Sequence, residues 1–257
     1  MSNLVFITRI PIKIDFVYRS DQGNVKFFPL VGILLGSILL IVYKALFPIF
    51  HGLSLAVILV FSLVFLTGGI HLDGLADSAD GLLSYRDKDR IIEIMKDSRI
   101  GAMGVIAIVA ILLFKISFLD LFIQKDLCFF IALFPVYGRL HIVNACYFGV
   151  PTPSSKMGGG FIGKMGRMEY VLIQLFYGLY ILGVIVFISP PEFIVFYAIS
   201  SLITGILMIL ISKLSVKRVI SKIDGITGDI LGAMCETGEW MSMPIFLLGV
   251  ELCKKLF

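Results

Sequence analysis

Apolar residues in this chain do not alternate with polar ones. They run in blocks of about 20, the length of helix that crosses a hydrocarbon layer roughly 30 Å thick. Such blocks cover 28–48, 53–71, 101–123, 127–149, 169–189, 192–212 and 228–250, with short polar connections between them. The pattern predicts an all-α, polytopic membrane helical bundle of about seven transmembrane segments, or six if the last is short or re-entrant. Segment 86–98 is different: Ile91, Ile92, Ile94 and Met95 interleave with Arg86, Arg90 and Lys96. That spacing predicts an amphipathic helix lying at the membrane interface. Gly32-x-x-x-Gly36 and Gly228-x-x-x-Gly232 are spacings that let helices approach closely.

Composition agrees with this reading. Only 16% of the residues are charged, well under the quarter usual for soluble domains. The run from Met1 to Arg9 is too short for a secretory core, so no segment is expected to be removed. Cys128, Cys146, Cys235 and Cys253 are scattered without metal-ligand spacing, which makes them small core residues. A net charge of +4, dispersed along the chain, excludes nucleic acid as a partner. The placement of that charge says more. Arg9, Lys13, Arg19 and Lys26; Arg86, Lys88, Arg90, Lys96 and Arg99; Lys156, Lys164 and Arg167; and Lys213, Lys217, Arg218 and Lys222 occupy alternate loops, whereas the opposite ones carry only Lys125. The positive-inside rule makes the basic loops cytoplasmic, and Lys254 and Lys255 then fall outside in a seven-span chain.

The candidate chemistry begins at Asp73-Gly74-Leu75-Ala76-Asp77-Ser78-Ala79-Asp80-Gly81. On a helix, Asp73, Asp77 and Asp80 share a stripe about 60° wide. Three carboxylates there repel one another, and a shared divalent cation would offset both the repulsion and the desolvation beside a membrane span. Clustered carboxylates suit a hard ion, Mg2+ above all when phosphate completes its shell. The plainer alternative is a solvated acidic helix end. Gly74 and Gly81 either clear room for a phosphoryl substrate or serve helix packing. His71 lies off the stripe, as an interfacial or second-sphere residue.

Other polar groups join this set. Glu93 and Asp97 share a helix face beside Lys96 and Arg99, cations suited to phosphate. Arg139, His141 and Asn144 interrupt an apolar span, so they should face a cavity or one another. The run from Ser154 to Lys164 is glycine-rich and basic, able to cradle phosphate or simply to link spans. Thr227, Gly228 and Asp229 open the last span, with Glu236 seven residues on along the same face. The expected metal ligands are Asp73, Asp77, Asp80 and Asp229, and the expected catalytic carboxylates Asp73, Asp80 and Asp97. Expected substrate contacts are Lys96, Arg99, Arg139, Asn144, Lys164, Thr227, Gly228 and Glu236. The whole reads as one transmembrane helical domain, 1–257, with 72–100 as a cytoplasmic catalytic loop and its amphipathic helix.

Four blocks, His71 to Gly81, Ile94 to Gly101, Gly158 to Gly163 and Thr227 to Gly232, resemble in order the cobalamin synthase family of adenosylcobinamide-GDP ribazoletransferases. The resemblance implies a Mg2+-dependent, multi-pass enzyme of the cell membrane that joins α-ribazole, or its 5′-phosphate, to adenosylcobinamide-GDP and releases GMP. The small-molecule substrates and the lipid bilayer are the implied partners, and a homo-oligomer is left open. The acidic block also resembles the aspartate motif of CDP-alcohol phosphotransferases, except that Ala76-Asp77 stands where that motif has Ala-Arg. A lipid synthase of that kind and a cation-coupled transporter are the competing functions; a transporter predicts charges at the bilayer midplane.

Overall fold

The structure, a computed structural model, describes residues 25–152 and 162–256. Arg9, Lys13, Arg19, Lys156 and most of the glycine-rich run lie outside them. The described chain is helical: α1 Phe28–Leu46, α2 Gly52–Thr67, α3 Ile70–Leu82, α4 Lys88–Met95, α5 Ala102–Gln124, α6 Phe134–Phe148, α7 Arg167–Ile188, α8 Ile194–Ile223 and α9 Gly228–Leu256. Its one departure is an isolated bridge between Pro151 and Ile226.

The bundle is built around α6, which is buried at every position from Phe134 to Cys146. The α6 sequence is apolar apart from Arg139, His141 and Asn144, and those three find partners on neighbouring helices, so no face is left that needs water. α1 packs on it closely because Gly32 and Gly36 bring the two backbones together: a Cβ at Gly32 would stand 2.7 Å from the Pro135 carbonyl oxygen. α9 packs against α6, α3 and α8. α7 and α8 keep large apolar side chains exposed, among them Leu175, Leu179, Leu202 and Ile206, as lipid-facing helices do.

Span count is where the sequence pattern and the structure differ. Among the described residues, four helical segments are long and apolar enough to cross a bilayer: Val25–Leu46, Ala102–Gln124, Arg167–Ile188 and Pro191–Ile223; the pair α2 and α3 would make a fifth if it is one bent span. α6 falls short because its 15 residues reach only about 22 Å. α9 is long enough but carries Asp229, Glu236 and Glu239. It nevertheless runs the length of the bundle. Asp229 lies beside α3, while Glu251 pairs with Lys125 at 3.2 Å and Lys254 lies over the Phe193 ring.

The acidic segment is a helix of its own rather than the end of a span. Gly68 and Gly69 both take left-handed backbone, φ 66° and 72°, which residues with a Cβ rarely adopt. Through them α3 leaves α2 at 90°. α4 folds back on the end of α3, capped by Asp87, whose side chain accepts the Arg90 N–H at 3.0 Å, and it buries Ile91 and Met95 as an amphipathic helix should.

Candidate active site

Asp73 stands exposed in the first turn of α3 and Asp77 half-buried one turn on. Asp229 reaches them from 150 residues away through a specific local structure. The strand-like contact of Ile226 with Val150, N–H to carbonyl at 2.8 Å, fixes the chain before α9. The Thr227 hydroxyl then accepts the Ile230 N–H at 3.3 Å, capping the helix. Gly74 lets the two helices meet: a Cβ there would stand 2.7 Å from the Asp229 carbonyl oxygen. The space beside Gly74 is thus filled by α9, and that beside Gly81 by Met95 of α4. Both glycines serve packing, and at Gly74 the packing brings a fourth aspartate, Asp229, to the stripe.

Asp77 sits in the electrostatic field of Asp73, Asp229 and Asp80, and Asp229 in that of Asp73. Among the described residues, no ion pair involves any of these four aspartates. Like charges gathered without a counterion are costly unless a cation is shared. By donor type, Asp73, Asp77 and Asp229 fit a hard divalent ion. As they stand, no three Asp, Glu, His or Cys side chains among the described residues are close enough to hold one, so a bound ion would have to draw them together.

Asp80 is placed differently. One of its oxygens accepts the Gly101 N–H at 2.7 Å and the other the Gly104 N–H at 2.8 Å. This ties α3 to the first turn of α5 and holds the segment 96–101 beside the acidic helix. Within that segment Asp97 accepts the Arg99 backbone N–H at 3.0 Å and pairs with its guanidinium at 2.7 Å. Hydrogen bonds from the Arg99 side chain and then its backbone hold the Asp97 carboxyl down to about 2. Arg99 itself is largely exposed, as are Lys96 and Lys164. Lys222 donates to the Leu82 carbonyl at 2.7 Å, and Lys88 pairs with Asp224, so the basic end of α8 borders the same face.

Three expected substrate contacts, Arg139, Asn144 and Glu236, lie buried inside the bundle instead of at the acidic face. Glu236 pairs with Lys115 at 2.6 Å, and Glu239 is held between Lys115 and Arg139. All four side chains are buried, at most 7% exposed. Arg139 keeps Nε and Nη2 unpartnered there, and the buried His71 its Nδ1. Asn144 closes a second polar knot: its amide donates to Ser212 at 3.1 Å, and its oxygen accepts from Tyr170 at 3.0 Å and Gln174 at 2.8 Å. Ser212 also bonds His141 at 2.9 Å. His141 and Asn144 also line a cavity between α6, α7 and α8, one of the two outcomes their cost in a span had implied, whereas Arg139 pairs with Glu239 instead.

Comparison with known proteins decides the family. The cobalamin-5-phosphate synthase family model matches residues 1–247. The chain is 40% identical over 250 residues to the adenosylcobinamide-GDP ribazoletransferase of Alkaliphilus metalliredigens, covering 96% of this chain and 94% of that one. It is 34% identical over 240 residues to the enzyme of the same name from Clostridioides difficile, covering 92% and 91%. The chain belongs to the cobalamin-5-phosphate synthase family. No solved structure matches it.

As a cobalamin-5-phosphate synthase, the protein is a multi-pass membrane transferase of cobalamin biosynthesis, and the transporter reading gives way to an enzyme. Lys115 is absent from the residues expected from the sequence. The signal was present: a lone lysine in the middle of an apolar span, which needs a partner wherever it occurs.

Proposed function

We propose that this synthase condenses adenosylcobinamide-GDP with α-ribazole, or with α-ribazole 5′-phosphate, in a Mg2+-dependent reaction at the cytoplasmic face of the cell membrane. The observation that carries the reading is the gathering of Asp73, Asp77 and Asp229, through the close contact at Gly74, with no cation opposite them among the described residues. A diphosphate substrate that arrives with a divalent ion supplies what such a face lacks.

A ribazole hydroxyl attacks the cobinamide-side phosphorus of the diphosphate, the new P–O bond forms, and the P–O bond to GMP breaks. Mg2+ held by Asp73, Asp77 and Asp229 would neutralise charge on the diphosphate and the departing GMP. The protein's own part is positioning and electrostatics, as in other phosphoryl transfers. Arg99 offers a planar fork to phosphate oxygens once it turns from Asp97, and Lys96 adds a point charge beside it. Asp97 is a poor base while Arg99 holds it; once Arg99 turns to the phosphate oxygens, the released carboxylate accepts the hydroxyl proton. The basic connections on this side, with Arg86, Lys88, Arg90, Lys213, Lys217, Arg218 and Lys222, support a cytoplasmic site by the positive-inside rule.

The test is release of GMP from adenosylcobinamide-GDP by the purified full-length protein, with α-ribazole or its 5′-phosphate and Mg2+. Release that depends on Mg2+ and is lost in Asp73→Asn is expected. A CDP-alcohol phosphotransferase would instead release CMP from a CDP-alcohol and leave the cobinamide nucleotide intact.

A further inference from the structure

Asp80 belongs by sequence to the acidic stripe, yet its surroundings set it apart from Asp73 and Asp77. α5 starts at Ala102 behind Gly101, an N-cap residue with no side chain to offer the free N–H groups of the first turn. Asp80 supplies that cap from another helix. Its carboxylate takes the N–H of Gly101, the cap residue, and the N–H of Gly104, three residues on. In a capping box these two donors are satisfied by two different side chains of the helix itself. Here one carboxylate on α3 satisfies both. The fit is tight, for a Cβ at Gly101 or at Gly104 would overlap the Asp80 carboxylate.

The cap fixes more than α5. Gly101 is two residues from Arg99 and four from Asp97, and the Asp97–Arg99 hydrogen bonds make that stretch a compact unit. Holding Gly101 therefore holds the Arg99 fork at the edge of α3. We infer that Asp80 is a positioning residue rather than a metal ligand: it docks the 97–104 segment onto the acidic helix so that Arg99 meets the substrate diphosphate. This rests on the proposed diphosphate chemistry and assigns Asp80 a role different from those of Asp73, Asp77 and Asp229.

The test uses the full-length protein in lipid nanodiscs, with Mn2+ as a spectroscopic probe of the metal site. Three readouts are taken: Mn2+ affinity by electron paramagnetic resonance, hydrogen exchange across residues 98–106, and KM against kcat in GMP release. Asp80→Ala should keep Mn2+ affinity within about twofold, speed exchange at Gly101 and Gly104 at least tenfold, and raise KM for adenosylcobinamide-GDP roughly tenfold with a smaller change in kcat. Gly104→Ala retains every carboxylate and crowds Asp80 off its donors, with a lesser approach to the Ala76 carbonyl oxygen at 3.1 Å, so it should reproduce that pattern. Asp80→Asn, which keeps one acceptor oxygen, should fall between. Loss of Mn2+ binding in Asp80→Ala overturns the inference, as does a wild-type KM in Gly104→Ala once its exchange has risen. Asp73→Asn in the same Mn2+ titration tests the metal reading separately, because exchange at Gly101 and Gly104 does not depend on it.

Discussion

α9 carries acidic residues in two settings two turns apart. Glu236 and Glu239 are buried and matched by Lys115 and Arg139. Asp229 lies at the end of the same helix, facing Asp73 and Asp77, and has no basic partner among the described residues. The inner set is balanced in charge: two cations and two anions, paired across helices, although Arg139 keeps Nε and Nη2 without a partner among the described residues. Such a group fixes how α5, α6 and α9 sit, and it has no net charge with which to attract a ligand. The outer set is incomplete, and the deficit is of the kind a divalent ion or an ion-bound phosphate makes good. Carboxylates of the same chemical type are thus structural where they are compensated and candidates for chemistry where they are not.

The largest expected effect falls on the outer set. Asp73→Asn should lower turnover by about 100- to 1000-fold, as loss of a charge-stabilising group does, while the thermal unfolding midpoint in detergent changes little. A matching fall in stability would move Asp73 into the structural class. The inner set should show the reverse. Lys115→Met leaves two buried glutamates short of a cation and should cost about 3 to 5 kcal/mol of stability, read from unfolding of the purified protein. Adding Glu236→Gln to it should recover part of that loss, because the pair is coupled.

Between the two lies Gly74. Gly74→Ala places a Cβ against the Asp229 carbonyl, and the overpacking should cost about 1 to 3 kcal/mol while weakening Mg2+ activation. Loss of stability with unchanged Mg2+ dependence would show that the contact does not serve the acidic face. The smallest effect belongs to the exposed pair Asp97 and Arg99. Their contribution to stability is complete above the ordinary carboxylate range and is lost only as pH falls through about 2. The difference in unfolding midpoint between wild type and Asp97→Asn should therefore be constant from about pH 5 to about pH 9.

Much of this was legible in the chain. Runs of apolar residues announced the helical bundle, and the 86–98 pattern announced α4. The three aspartates at helical spacing marked the acidic face, and the resemblance to the synthase family gave the chemistry its substrates. Less legible was whatever depends on a corner or on contacts between distant segments. Gly68-Gly69 reads as a pair of small residues until its left-handed backbone turns α3 away from α2. Asp80 belongs to the stripe by periodicity, and only the approach of Gly101 and Gly104 shows that its oxygens are engaged. Lys115 is separated from Glu236 and Glu239 by more than 100 residues, so their mutual neutralisation is a property of packing that no local pattern records. Asp229 could be read as an ordinary helix-start charge until Gly74 was seen to let it reach α3.

That Asp73, Asp77 and Asp229 form one divalent-ion site serving GMP release is the proposal on which the mechanism rests. It is tested most directly by titrating Mg2+ into the GMP-release assay for wild type and Asp229→Asn, both full length. A saturable Mg2+ requirement, with the apparent affinity weakened at least about tenfold in Asp229→Asn, is the expected result. Turnover that persists in EDTA, or Mg2+ curves that superimpose for the two proteins, would contradict it.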